Sequence, residues 1–387
     1  MISPSTSRAE LPAPSAAALE QSAALAARIR AEIDSAGGWL EFARYMDLAL
    51  YSPGLGYYSA GSTKLGAAGD FVTAPELSST FGAVLAVSLD SELHALRADT
   101  LLELGAGSGV LAAQLLAAFA KLGRDVHYLI LEPSADLRQR QQTALRAFGE
   151  RVQWLDALPQ PPIKGVVIAN EVLDALPVAL FEKIGGGARA RGVVRAGDGF
   201  RFGESRALPD VAAAVAALEV RLGRTLPDGY RSEVCLVLPA WLASLGASVA
   251  CGSVLLVDYG LVRADHYHEQ RTNGTFVCHY RHRVHDDPFL YPGLQDLTAW
   301  VDFSACAAAA AAAGFDVAGF TTQGHYLVGA LAALPAVLAP ALASPREQSV
   351  LKTLVLPGEM GERFKVLLLR KGVEGPALPG RDFRHRL

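Results

Sequence analysis

The chain has 387 residues, more than one hydrophobic core usually serves, so a main domain with appendages or insertions is expected. A formal charge of −4 and a sequence pI of about 6.2 give no electrostatic reason to expect a nucleic-acid partner. Four dispersed cysteines, Cys235, Cys251, Cys278 and Cys306, form no CxxC pair, and a 51% hydrophobic chain needs no staples, which excludes a disulfide scaffold and suits a reduced compartment.

The N-terminus, "MISPSTSRAELPAPSAAALEQ", carries acids and prolines where a secretion signal would have a basic start and an apolar core. It predicts no secretion signal, a disordered leader over 1–30 and a cytoplasmic location. Residues 16 to 50 show helical spacing with Trp39, Phe42, Met46 and Leu50 on one face. "YSPGLGYYSAGSTKLGAAGD" then interrupts regularity with glycine and proline, and "DFVTAPELS", 70–78, places an extended residue before Pro75. These stretches predict a helical and loop cap over 31–95.

From residue 99 the pattern alternates. "DTLLELG" reads as a strand, "GVLAAQLLAAFAKLG" as an amphipathic helix, "VHYLILE" as a strand and "SADLRQRQQTALRAF" as a helix, with "VQWLD" and "GVVIAN" as further strands. Such βαβαβ order with apolar strands predicts an α/β, doubly wound, Rossmann-like parallel sheet. The core is expected over 96–260, with an insertion around 178–250 that holds the hairpin strands "VALFEKI", "ARGVVRAG" and "GFRFGE" and then helices from about 208 to 249. The sheet resumes with "GSVLLVDYG". A His-, Arg- and Asp-rich excursion and an alanine-rich helix form an inserted segment expected over 261–322. Core elements follow over 323–372, where "EMGERFKVLLLRKG" suits an antiparallel edge strand, and 373–387 reads as a loose tail. "YLVGALAALPAVLAPALA", 326–343, has about the length of a membrane span, but alanine is weakly apolar and Pro335 and Pro340 break it, so short packed helices are expected and no span.

"ELGAGSG" sets Glu103 at a strand end and Gly105, Gly107 and Gly109 at alternate positions before a helix. Glycines there permit a tight turn and let a ligand press on the backbone. The third glycine comes one place too early for a dinucleotide fingerprint, and with the acid two residues ahead the spacing is the class I methyltransferase pattern for S-adenosyl-L-methionine. Glu132 ends the second strand, where a carboxylate can accept both ribose hydroxyls; with Ser134 beside it, helix capping suits it too. Asp156 follows the third strand, where the adenine amino group would sit, or serves a turn. "ANEVLDALPV" follows the fourth strand, and Asn170, Glu171 and Asp174 are its polar groups. On a helical first turn the two carboxylates would face one way; capping, with Asn170 as N-cap, is the alternative.

With these motifs in place, the chain resembles the MidA-type methyltransferases over about 35 to 370. The resemblance rests on "YSPGLGYY", "GDFVTAPELSSTFG", "LELGAGSG", "NEVLDALPV", "VDYG", "HRVHDDP", "PGLQDLTAWVDF" and "TTQGHYL" in that order. It implies a class I sheet of order 3-2-1-4-5-7-6 with an antiparallel seventh strand, an N-terminal cap and an inserted subdomain. It also implies S-adenosyl-L-methionine as cofactor and a protein arginine as acceptor, with a respiratory complex subunit as a candidate acceptor, and Glu171, Asp174 and Asn170 as catalytic candidates. Asp70, Thr73, Pro75 and Glu76 would then belong to the cap over the donor pocket. The chain departs from the mitochondrial members in showing no evident transit peptide. Glu233, near an expected helix start, and His285 are candidates for acceptor or cap contacts. Cys278, His279, His282 and His285 have spacings that could hold zinc, but a charged loop suits them better and no metal is expected. Two other functions fit the same residues: methyl transfer to a different nitrogen or oxygen of a small molecule, and a non-catalytic assembly chaperone on the same fold. The oligomeric state stays open.

Overall fold

The structure, a computed structural model, describes residues 11–60 and 73–387. Two compact units emerge. One comprises 1–71, 174–238 and 263–300; the other comprises 72–173, 239–262 and 301–387.

The second unit carries the main sheet. Its seven principal strands are β1 (Thr100–Leu104), β2 (His127–Leu131), β3 (Val152–Leu155), β4 (Ile163–Asn170), β5 (Val249–Leu261), β6 (Asp316–Thr322) and β7 (Phe364–Lys371). They lie in the order β3-β2-β1-β4-β5-β7-β6, with β7 antiparallel to both neighbours and the first five parallel. This is the class I methyltransferase topology expected. Val166, Val167, Ile168 and Ala169 of β4 and Val254 to Val257 of β5 are all buried, as strands covered on both faces require. Two expectations change. Phe364–Lys371 is an interior strand with seven of its apolar and basic side chains buried in succession, and the edge belongs to Asp316–Thr322, which was expected inside an inserted segment. The tail is also bound: Thr321 Oγ1 donates to the Arg381 carbonyl at 2.6 Å, and Phe383 N to the Phe320 carbonyl at 2.6 Å.

The first unit is assembled from three separate stretches. Ala16–Ser35 is one helix capped by Ser15, so the leader expected over 1–30 does not reach past Ser15. Phe42–Tyr51 is a second helix, and Trp39, Phe42, Met46 and Leu50 are all buried as their spacing predicted. Phe42, Tyr45 and Met46 pack with Val193, Cys278 and Leu297 in one cluster; Trp39, Phe181, Val211, Val215 and Tyr230 form another. Three small antiparallel sheets support them. The Trp39 ring lies so close to Gly192 that a side chain there would meet it at 2.2 Å, which explains a glycine inside a strand. The expected helices from 208 to 249 are two, Pro209–Leu222 and Leu238–Ser248, separated by the strand Arg231–Val234. Among the described residues no helix is long and apolar enough to cross a membrane.

Candidate active site

The glycine loop follows β1. Gly105, Gly107 and Gly109 have φ of 65°, 54° and 83°, a left-handed run that a side chain would strain. The helix Val110–Lys121 starts directly after it. Gln141, fully buried, ties this loop to the next strand end. Its amide donates to the Gly107 carbonyl at 2.9 Å and to Glu132 Oε2 at 3.0 Å, and its carbonyl accepts from Trp154 Nε1 at 3.0 Å.

Glu132 is 4% exposed, and its Oε1 accepts from Ser134 N at 3.0 Å, the capping bond foreseen as its alternative role. Asp156 sits differently. Its side chain is 90% exposed and pairs with Arg138 Nη1 at 2.8 Å, while Arg138 Nη2 also donates to the Leu155 carbonyl.

Glu103 lies inside the sheet, not at its rim. It is buried and accepts from the Tyr128 hydroxyl at 2.8 Å. Burial pushes its carboxyl up from 4.5 to about 7; the Tyr128 bond works against this and the Glu132 charge adds to it. Between those values the folded protein holds a proton that the unfolded chain has released. The stability drawn from neutral Glu103 is therefore present below about pH 4.5 and lost as pH rises through 7, a total of about 3 kcal/mol. Relative to Glu103→Gln, which stays neutral, the wild type should lose stability in denaturant titrations across this window. Parallel profiles for the two proteins would show that Glu103 ionises normally.

The segment before the sheet joins the same region. Thr73 precedes a short helix, Ala74–Leu77, with Pro75 in its first turn. Glu76 Oε1 accepts from the Ser108 hydroxyl of the glycine loop at 2.5 Å, and the Pro75 carbonyl accepts from Gln114 at 2.8 Å. Asp70 lies outside the described residues.

After β4 the chain makes a turn, not the helical first turn expected, and this also removes the N-cap role for Asn170. Glu171 takes φ +55°, unusual for a residue with a side chain, and its N–H donates to the Val257 carbonyl at 2.8 Å. Asn170 Nδ2 donates to Glu171 Oε1 at 3.2 Å, while Asn170 Oδ1 is buried without a partner among the described residues. Asp258, fully buried at the end of β5, holds the turn: its Oδ2 accepts from Val172 N at 3.2 Å and Leu173 N at 2.9 Å. Asp258 and Gln141 were missed as site residues. An acid ending the apolar run "LLVDYG" was a signal for the first; nothing in the sequence marked the second.

In the other unit, Asp174 is 6% exposed, and its carbonyl accepts from Ala299 N at 3.0 Å. Tyr58 donates to Asp296 Oδ1 at 3.0 Å and stacks on Tyr51 with ring centres 5.6 Å apart. Burial, then the charges of Asp296 and Asp174, hold its phenol well above the usual range. Glu233 lies in the strand Arg231–Val234 rather than at a helix start. His285 is buried in a hairpin, with Nδ1 accepting from Asp287 N at 3.3 Å; burial lowers its pKa. Cys278 pairs with His285 across that hairpin, His279 is its neighbour on the opposite face and His282 is in the turn, so the four do not converge.

The residues after β1, β2 and β4 fit a donor with a sulfonium-linked nucleoside. The glycines of the loop are left-handed, Glu132 places a buried carboxylate at the next strand end, and Asn170 carries a buried oxygen without a partner among the described residues. A family model described as "Putative S-adenosyl-L-methionine-dependent methyltransferase" matches residues 84–321. The mitochondrial protein arginine methyltransferase NDUFAF7 homologue of Drosophila melanogaster is 30% identical over 94% of this chain and 89% of its own. Its Danio rerio counterpart, NDUFAF7, is 30% identical over 70% of this chain and 68% of its own. A crystal structure from Burkholderia thailandensis bound to S-adenosyl-homocysteine is 43% identical, with a TM-score of 0.89 over 98% of this chain and 100% of that one.

Proposed function

Because the chain belongs to the MidA-type family of S-adenosyl-L-methionine-dependent methyltransferases, we propose that it transfers the methyl group to an arginine side chain of a protein. The observation that carries the acceptor choice is Glu171, held at φ +55° in the turn after β4; Asp174, three residues on in the sequence and buried within its own unit, is the second candidate carboxylate. A strained residue persists where its surroundings over-determine it, and such sites are often functional. The relatives named as arginine methyltransferases support the same choice.

The donor supplies an electrophilic methyl on a sulfonium, and transfer is a single displacement in which a carbon–sulfur bond breaks as a carbon–nitrogen bond forms. The chain's task is alignment. A guanidinium is protonated at all ordinary pH and offers a planar fork of N–H donors. As the candidate acceptor-binding groups, Glu171 and Asp174 would accept from the guanidinium N–H donors and offset the positive charge that the attacking nitrogen gains until it gives a proton to a carboxylate. The glycine loop receives the methionine end of the donor, Glu132 the ribose and Asp156, from its exposed position, the adenine.

The test is direct. Extract from source cells lacking the protein is incubated with the purified chain and methyl-labelled donor, then hydrolysed, and the labelled amino acids are identified by mass spectrometry. Methylarginine in a protein fraction is the expected product. Label in small molecules alone would favour the alternative acceptor class, and no transfer with intact donor binding would favour an assembly role.

A further inference from the structure

Glu233 is a carboxylate only 2% exposed. Its Oε1 accepts from Thr275 N at 2.9 Å and from the Thr275 hydroxyl at 2.6 Å, and faces His266 Nε2 at 3.1 Å. Its Oε2 has no partner among the described residues and lies against Gly274, where a side chain would come within 2.1 Å of it. A buried polar group of this kind seldom adds stability, and an apolar replacement of equal volume is often neutral or better. An unpartnered buried oxygen adds a further cost. Stability alone is a poor reason for this arrangement, and the hydrogen bonds leaving it supply a better one.

The Thr275 hydroxyl donates to Glu233 and accepts from Trp300 N at 2.9 Å. The preceding residue, Ala299, donates its N–H to the Asp174 carbonyl at 3.0 Å. Three residues before Ala299 stands Asp296, which accepts from Tyr58. One short segment, 296–300, thus carries a bond to the Asp174 backbone, a second buried carboxylate, and the contact that leads back to Glu233.

We propose that Glu233, acting through Thr275, is a positioning residue for the acceptor side: it fixes the backbone at Ala299 and Trp300 and so sets the direction of the Asp174 carboxylate. The inference rests on the reading of Asp174 as an acceptor-binding group. Glu233 itself touches no acceptor. Its negative charge orients the Thr275 hydroxyl proton toward itself, which leaves the hydroxyl lone pairs for Trp300 N. Displacing a carboxylate by even an ångström is enough to lower transfer strongly, because the guanidinium must be held in line with the methyl.

Thr275→Val removes the hydroxyl at constant shape and keeps Glu233; Thr275→Ser restores the hydroxyl. Both are compared with wild type on the extract from cells lacking the protein, with methyl-labelled donor, varying extract concentration to separate apparent KM from kcat. S-adenosyl-homocysteine affinity is measured by calorimetry on the same samples. The expected result is a fall in kcat/KM for arginine labelling of roughly tenfold or more in Thr275→Val, unchanged S-adenosyl-homocysteine affinity, and near wild-type behaviour in Thr275→Ser. Unchanged kcat/KM in Thr275→Val would overturn the inference even if its melting temperature fell, since only a structural role would then remain. A parallel loss of S-adenosyl-homocysteine affinity would overturn it by moving the network to the donor side. If the wild type itself labels no arginine, the reading of Asp174 fails first and the inference falls with it, an outcome seen before any variant is compared.

Discussion

Gly107→Val is expected to lower S-adenosyl-homocysteine affinity by roughly a hundredfold or more, on the scale of about 3 kcal/mol. Two costs add. The backbone at Gly107 has φ +54°, where a β-branched residue is a strong outlier, and the new side chain stands on the loop that must approach the donor. The Gly107 carbonyl also accepts from Gln141, which bonds Glu132, so any shift of the loop reaches the ribose-side carboxylate. Calorimetry reads the affinity, and circular dichroism checks that the sheet persists. Gly107→Ala, which meets the backbone cost with a smaller side chain, should fall between. Wild-type affinity in Gly107→Val would mean that the donor lies elsewhere.

Glu171→Gln and Asp174→Asn form the second test. Each keeps shape and removes one negative charge, so neither opens a cavity. Turnover should fall by roughly 10² or more, the scale of losing one electrostatic contact made in the transition state, while donor affinity stays within a few-fold. At Glu171 the neighbouring Asn170 amide donates to Oε1, and glutamine can still accept that bond, so the loss would report charge and not local disorder. Turnover is read as methylarginine formed per folded enzyme in a single turnover. Equal turnover in both variants would leave the two acids with structural roles only; loss of donor binding would assign them to the cofactor.

The parallel core was legible because its strands are continuous apolar runs punctuated by glycine and acid, and the order 3-2-1-4-5-7-6 followed from the family resemblance. Asp316–Thr322 escaped notice because "DVAGFTT" has little periodicity: Gly319 sits at a register shift, and only its last residues are consistently buried. The interior place of Phe364–Lys371 was readable in principle, since a run of buried apolar residues on both faces does not suit an edge. Glu233 was misplaced for a different reason. A four-residue strand such as "RSEV" has no pattern of its own and exists through pairing with Ala179–Ile184, some fifty positions away in the chain. Asp258 and Gln141 illustrate the same limit in the site. Their importance comes from backbone groups of distant turns, and no local spacing announces which turn will need an acceptor.

The three-stretch construction of the first unit has a consequence for synthesis on the ribosome. Leu40 pairs with Val193, and Tyr45 donates its hydroxyl to the Pro288 carbonyl, so the helix Phe42–Tyr51 completes its native contacts only after residue 288 has left the exit tunnel. At about 5–20 residues per second, elongation over that interval lasts on the order of ten seconds to a minute. Until its end, Phe42, Tyr45, Met46 and Leu50 can pack on Leu25, Ile29 and Ile33 of the preceding helix but lack the share of their cluster that Cys278 and Leu297 supply. The second unit's β1 to β4 can meanwhile form neighbouring parallel pairs as they emerge. Nascent chains of this protein are therefore expected to carry a sticky N-terminal helix ahead of a maturing sheet, and its burial waits on the insertion that follows β5.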